Sequence, residues 1–158
     1  MGVTPPTFDD IEAAADRIKD RVRRTPCLRT RFVRNPIHNG DVLLKLECLQ
    51  VTGSFKSRGA NNAVLSLDDA AVARGVVTAS SGNHGSAVAY AARASGTKAY
   101  VYLPDSAPAN KIANLHQWDA EVIIGGDVWD DANDAALARA ERDGLTYIAP
   151  FADPTVIA

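Results

Sequence analysis

From Gly53 onward, short apolar runs alternate with longer segments whose apolar residues recur at helical spacing. Four runs predict buried strands, at Val76–Ala79, Ala99–Leu103, Glu121–Ile124 and 145–149. Between them, helices are predicted after Ser54, at 67–74, in the small residues up to Gly96, at 108–118 and at 127–143. Strands that alternate with helices of this length need crossover connections. The pattern therefore predicts an α/β fold, a parallel sheet flanked by helices.

The chain before Gly53 has a different pattern. A helix is predicted over 7–24, because Thr7 can cap it together with Asp10 in an acidic variant of the capping box. Its apolar residues form one stripe: Ile11, Ala14, Ile18 and Val22. A strand is predicted over 41–47. We expect the apolar residues of this part to pack against residues that lie after Ala158. Without them, its apolar surface would be exposed and would favour association or local disorder.

Composition indicates a globular protein. The 158 residues are 46% hydrophobic and 23% charged, which suffices for one domain with a core. Seventeen basic and nineteen acidic side chains give a charge of -2, which offers no basic surface to nucleic acid or anionic membranes. Without an apolar run that could cross a bilayer or a secretory signal, a cytoplasmic location is expected. Cys27 and Cys48 lack metal-site spacing, so we expect buried or idle thiols in a reducing compartment, and no metal.

Two loops carry residues suited to chemistry. Residues 52–60 read Thr-Gly-Ser-Phe-Lys-Ser-Arg-Gly-Ala and place Lys56 in the first turn of a helix. The helix N-terminus disfavours a cation there, so a desolvated Lys56 would favour the neutral amine that forms imines. Residues 80–85 read Ser-Ser-Gly-Asn-His-Gly between a strand and a helix, where backbone N–H groups can bind a carboxylate or phosphate. Taken alone, each also fits a simpler interpretation, a solvated lysine and a capped turn.

Together, the two loops resemble those of the fold-type II enzymes that depend on pyridoxal 5'-phosphate (PLP), the superfamily of the tryptophan synthase β subunit. The resemblance covers nearly the whole chain, with further matching segments at 46–50, 77–79, 107–111, 120–122 and 150–154. Ser-Gly-Asn-His-Gly is similar to the serine/threonine dehydratase and serine racemase branch. Cysteine and threonine synthases typically have an acidic residue where this chain has Ser57. Many biosynthetic threonine dehydratases have alanine in place of Ser81, whereas serine racemases use a serine there as a second acid/base.

The resemblance implies roles for individual residues. Lys56 would hold PLP as an imine and, once released by the amino acid, would take the α-proton as general base. Phe55 would pack against the cofactor ring, and Asn83 would hydrogen-bond its phenolic oxygen. The substrate carboxylate would be bound around Ser80, Ser81, Gly82 and His84. Ser81 would be the second catalytic residue if the enzyme racemises. For His84, proton transfer and a purely structural role both stay open.

The implied reaction is loss of the α-proton and the β-hydroxyl from L-threonine or L-serine, which yields a 2-oxo acid and ammonia with PLP as electron sink. A serine racemase is the first alternative, suggested by Ser81. A catalytically inactive remnant that at most binds a small carboxylate is the second. The expected partner is a small amino-acid substrate, and full-length relatives are expected to be homo-oligomers.

The resemblance also implies a division of the chain. Residues 1–52 would be the first part of a large domain, 53–149 a small α/β domain, and 150–158 the start of the return to the large domain. The glycine-rich loop that binds the PLP phosphate would lie beyond Ala158. The chain is therefore interpreted as an N-terminal fragment, inactive or nearly so alone. Asp119 stands where relatives often have glycine, and aspartate tolerates a left-handed backbone better than most residues.

Overall fold

Helices and strands alternate through most of the chain. The computed structural model describes residues 4–30 and 41–158. The helices are α1 (Phe8–Ile18), α2 (Lys56–Leu65), α3 (Asp69–Arg74), α4 (Asn83–Ala94), α5 (Ala109–His116), α6 (Trp129–Asp143) and α7 (Pro154–Ile157). The strands are β1 (Cys27–Thr30), β2 (Val42–Lys45), β3 (Val76–Ala79), β4 (Ala99–Leu103), β5 (Glu121–Ile124) and β6 (Thr146–Tyr147), and a 3₁₀ turn covers Glu47–Leu49.

Four strands form a parallel sheet in the order β5-β4-β3-β6. Every residue of β3 is buried, because helices cover both faces of the sheet. Successive residues of β3 enter different apolar clusters, as the alternation of side chains along a strand requires. Val76 packs with α2, α4 and α5, whereas Val77 packs with α6. The predicted α/β fold with a parallel sheet flanked by helices is confirmed.

Small residues allow α2 and α4 to approach each other closely. Apart from His84 and Gly85 in its first turn, the buried residues of α4 are alanines and one valine: Ala87, Val88, Ala89, Ala91 and Ala92. Of the predicted strands, three have the expected bounds, whereas the one expected over 145–149 is only Thr146–Tyr147 long. The predicted helices in this region differ from the observed ones by a few residues at their ends, as is usual for helix boundaries.

The first helix is shorter than its apolar stripe predicts. Its start is as expected, since Thr7 Oγ1 accepts from the Asp10 amide and the Asp10 carboxylate accepts from the Thr7 amide. It ends at Ile18, not at residue 24. The Gln50 side chain bonds both the N–H and the C=O of Arg23, at 2.8 and 2.9 Å. These bonds use backbone groups that a continued helix would need.

An antiparallel hairpin, β1–β2, follows the first helix and was not predicted from the sequence. Only β2 was expected, as part of a strand over 41–47, and Glu47 at the end of that range begins the 3₁₀ turn instead. The hairpin is largely solvent-exposed, and Leu43 is 60% exposed. By contrast, Ala14 and Ile18 of α1 are buried, so part of the apolar stripe is packed within the described chain. Both cysteines are exposed and form no disulfide.

Asp119 has a left-handed backbone, with φ of 57°. It lies in the turn between α5 and β5, where its carboxylate is 3.2 Å from the Arg93 guanidinium. The conformation fits the tolerance expected of aspartate at a position often occupied by glycine. In the described residues, no helix has the length and apolar character needed to span a membrane.

Candidate active site

Lys56 is the first residue of α2, and its amine lies between two aromatic rings. Nζ donates a hydrogen bond to the carbonyl of Pro150 at 2.8 Å. It is 5.3 Å from the ring centroid of Phe55 and 5.1 Å from that of Phe151. Both distances permit an attraction between the cation and the ring face. The amine is therefore held by the segment that follows β6, at the carboxyl edge of the sheet.

A cavity of about 340 Å³ opens beside this amine. Its walls come from the start of α2 and from the last residues of the chain: Phe55, Lys56, Arg58, Gly59, Pro150, Phe151, Val156, Ile157 and Ala158. Phe55 is 60% exposed, so its ring is not part of the hydrophobic core of the described residues. Its ring is thus available to a planar ligand at the cavity.

Polar bonds fix the first turn of α2. Arg58 donates to both carboxylate oxygens of Glu47, with Nε to Oε2 at 2.9 Å and Nη2 to Oε1 at 2.7 Å. These bonds lower the pKa of Glu47 to about 2 against the effect of burial, so the ion pair persists through the neutral range. The hydroxyls of Thr52 and Ser57 are 2.6 Å apart. Lys56 therefore projects from an anchored helix start.

The loop at 80–85 connects β3 to α4. Gly82 is the N-cap of α4 and contributes no side-chain cap, which leaves N–H groups of the first turn to an external acceptor. Ser80 Oγ accepts from the Gly82 amide at 3.2 Å. Ser80, Ser81 and Gly82 are half-buried, and Asn83 is exposed. The arrangement is suited to a carboxylate or phosphate.

His84 differs from the rest of this loop because its side chain is buried. Its Nε2 is 3.1 Å from the carbonyl of Ile148, which identifies Nε2–H as the donor in this pair. Burial lowers the pKa of His84 to about 4; the charge of Lys56 acts in the same direction, and the Ile148 carbonyl and Asp153 oppose it. Neutral His84 ties the loop to the segment after β6, which favours the structural role among the two left open.

We expect the protein to lose stability as the pH falls, because of His84. The unfolded chain binds a proton near pH 6.5, whereas the folded chain resists it down to about pH 4. The contribution is complete above pH 6.5 and is lost as pH falls through this window, by on the order of 3 kcal/mol. His84→Gln keeps an N–H donor without titrating, so urea unfolding from pH 7 to 4 should show a flatter profile for this variant. His116→Gln, at an exposed histidine, is the matched control.

The structure brings Lys56, Phe55 and His84 together around the segment that follows β6. Lys56 bonds to the carbonyl at position 150, and His84 bonds to the one at position 148. Ser80, Ser81, Gly82 and Asn83 belong to the loop that His84 anchors, and none of them is among the residues that line the cavity beside Lys56. The roles of Pro150 and Phe151 were missed. The segment was recognised in the resemblance, but no pattern in the sequence indicates that a proline carbonyl accepts from a lysine.

Comparison with known proteins supports the resemblance to PLP-dependent enzymes that the sequence indicates. Residues 18–158 match the family model described as "Pyridoxal-phosphate dependent enzyme". The chain belongs to this family. It is 42% identical over 152 residues to an L-threonine ammonia-lyase of Thermotoga maritima, across 96% of this chain and 38% of that protein. It is 38% identical to a catabolic L-threonine dehydratase of Staphylococcus aureus, across 96% of this chain and 44% of that protein.

Solved structures of the family have the same fold. The structure of maize serine racemase superposes with a TM-score of 0.87 at 32% identity, over 97% of this chain and 46% of that one. The serine racemase of Dictyostelium discoideum superposes with a TM-score of 0.83 at 34% identity, over 95% of this chain and 48% of that one. This PLP-family chain thus spans less than half the length of these relatives.

The described residues fit the cofactor of this PLP-dependent family. A cofactor aldehyde needs an amine, which Lys56 offers at the cavity. An aromatic ring needs an apolar face, which Phe55 offers. Anionic groups need N–H donors, which the uncapped start of α4 offers. Lys56, Phe55, Asn83 and the 80–85 loop are the residues of this chain that would hold PLP and its substrate.

Proposed function

We propose that this chain forms part of a PLP-dependent ammonia-lyase that acts on L-threonine and L-serine. It would contribute Lys56, which holds the cofactor, and the 80–85 loop, which binds the substrate carboxylate and is called the carboxylate loop below. The observation that carries the proposal is the Lys56 amine, held at 2.8 Å by the Pro150 carbonyl beside a cavity and two aromatic rings. The names of the relatives support the choice of substrate, since the two curated relatives above are named for threonine.

Each residue has a defined task in this proposal. PLP, when bound, supplies the electron sink for the charge left at Cα. Lys56 Nζ would hold the cofactor and would accept the α-proton of the substrate. Asn83 would donate to the phenolic oxygen of the cofactor, and Phe55 would pack against its ring. The N–H groups of the 80–85 loop other than those of Ser80 and Gly82, which already have acceptors, would bind the substrate carboxylate and orient Cα toward Lys56.

The proposal includes a division of labour along the chain. Residues 53–149 form the small domain that carries Lys56 and the loop, residues 1–52 belong to a larger domain, and 150–158 lead back to it. The bond from Lys56 to Pro150 and the close contact of Gly59 with Val156 support placing the last segment against the small domain.

The test is product formation by the protein that contains this chain, loaded with PLP. We expect 2-oxobutanoate and ammonia from L-threonine, and pyruvate and ammonia from L-serine, in equal amounts of oxo acid and ammonia. D-Threonine is the control, because its α-hydrogen would point away from Lys56 when the carboxylate is held by the loop. Absence of both oxo acids from a protein that carries PLP on Lys56 would contradict the assignment.

Racemisation is the second candidate, favoured by Ser81 and by the similarity to maize serine racemase. Ser81 is half-buried in the carboxylate loop. Racemisation needs a proton donor on the substrate face opposite Lys56, and the Ser81 hydroxyl is our candidate. Ser81→Ala should then abolish exchange between L- and D-serine, followed by chiral chromatography, and reduce L-serine deamination by a smaller factor, about tenfold.

A different result would assign Ser81 to shaping the pocket. In that case Ser81→Ala raises KM for every substrate, and both reactions lose the same factor. Ser86→Ala is the matched control, since Ser86 is a half-buried serine one turn into α4.

A further inference from the structure

The carbonyl of Ala79 lies where the hydrogen-bond ladder between β3 and β6 stops. The last bond of this ladder runs from the Ile148 amide to the Val77 carbonyl, at 2.9 Å. In a parallel ladder the next bond of the same kind lies two residues further along each strand, from position 150 to Ala79. Position 150 is a proline, which has no N–H to donate. The ladder therefore cannot supply the Ala79 carbonyl with its next donor.

The indole of Trp129 supplies that donor. Trp129 is the first residue of α6, and its Nε1–H donates to the Ala79 carbonyl at 2.9 Å. Ala79 is 0% exposed. A buried carbonyl without a partner is costly, so the side-chain N–H of Trp129 satisfies a group that the backbone of β6 leaves unpaired.

This bond lies at the base of the carboxylate loop. The peptide between Ala79 and Ser80 is held from both sides: its carbonyl by Trp129, and its N–H by the Tyr102 carbonyl of β4 at 3.1 Å. The loop at 80–85 leaves the sheet from this peptide. Its direction of departure depends on both bonds, because rotation of one peptide group redirects all the N–H groups that follow it.

We propose that Trp129 is a positioning residue, which replaces the ladder bond lost at Pro150 and fixes the direction of the 80–85 loop. The same proline serves both halves of the site, because its carbonyl accepts from Lys56 and its missing N–H requires Trp129. That the loop so positioned binds a substrate carboxylate rests on the proposed function. The bond from Trp129 to Ala79 and its effect on the loop do not depend on the proposed function.

The test replaces the indole N–H of Trp129 with a sulfur atom, which cannot donate a hydrogen bond. In a Trp118→Phe background, the chain is produced with tryptophan or with β-(3-benzothienyl)alanine at position 129, an analogue that has sulfur in place of N–H. Amide hydrogen exchange is then compared at Ser80 and Gly82, with Val76 at the other end of β3 as the internal control. We expect exchange at Ser80 and Gly82 to become about tenfold faster with the sulfur analogue, and exchange at Val76 to stay the same.

Two results would overturn the proposal. If the Ser80 amide exchanges at the same rate with tryptophan and with the sulfur analogue at position 129, the indole N–H does not restrain the loop. If exchange accelerates equally at Ser80 and Val76, the substitution lowers the stability of the whole protein and has no specific effect on the loop. Neither PLP nor substrate is needed for this measurement. If the loop loosens with the sulfur analogue but the protein that contains this chain never accepts PLP on Lys56, the proposed function is contradicted and the role of Trp129 is still supported.

Discussion

Replacement of Lys56 by alanine is expected to remove covalent attachment of PLP altogether. In the proposed function the Lys56 amine condenses with the cofactor aldehyde, and nothing in an alanine side chain can replace it. The measurement is incubation of the protein that contains this chain with PLP, reduction with borohydride and peptide mapping of the labelled lysine. We expect the label at Lys56 in the unmodified protein and only background labelling in Lys56→Ala. In the protein that contains this chain, product formation from L-threonine should vanish as well, since cofactor attachment and α-proton removal fail together.

Two matched variants separate chemistry from folding. Lys56→Arg keeps a cation that can donate to the Pro150 carbonyl and lie between the rings of Phe55 and Phe151, but a guanidinium does not condense with the aldehyde. It should fold like the parent and remain unlabelled. Lys98→Ala removes an exposed lysine just before β4, at the opposite edge of the sheet. In this variant PLP should label Lys56 to the normal extent. Equal labelling of many lysines, Lys56 among them, would show that Lys56 is an ordinary amine.

The parallel sheet could be predicted because its signal is local. Three strands are continuous apolar runs bounded by glycine, proline or polar residues, and a buried parallel strand has no polar alternation to confuse the assignment. The capping box at Thr7 could be predicted for the same reason, since neighbouring residues determine it. The left-handed backbone of Asp119 fits a remark that rested on the resemblance, namely that relatives often have glycine there. Lys56 and the 80–85 loop were found through a resemblance, because the chemistry of each is ambiguous when it is taken alone.

The missed features depend on residues that are distant in the sequence. Helix α1 ends at Ile18 and cannot continue through Arg23, because the backbone of Arg23 is bound by Gln50, 27 residues further on. The hairpin needs β1, whose Cys-Leu-Arg-Thr sequence has no alternating apolar pattern. The contact between Lys56 and the Pro150 carbonyl spans 94 positions, and that between Trp129 and Ala79 spans 50. Side-chain bonds to backbone groups leave no periodic pattern, so tertiary structure has to reveal them.

The 80–85 loop should also be sensitive to a single methyl group at Gly85. A Cβ at this position would lie 2.2 Å from the Ser80 carbonyl oxygen and 3.3 Å from Val101 Cγ1. The first contact is with backbone and is too short for any side chain, so the loop or the start of α4 has to move. We expect Gly85→Ala to lower the free energy of unfolding by about 3 kcal/mol in urea titrations. Displacement of the loop should also abolish the binding of the substrate carboxylate that we propose for it.

Gly82→Ala is the matched control, because a Cβ there would meet only Ser80 Oγ, at 3.9 Å. Its backbone is extended, so alanine can adopt it without strain. The two variants differ by three positions in the same loop, and only one of them forces Ser80 aside. If PLP labelling of Lys56 survives in Gly85→Ala while amino-acid binding is lost, the cofactor amine and the carboxylate loop are separable parts of the site. Equal stability of the two variants would mean that the loop yields without cost, and that the geometry at Ser80 does not determine binding.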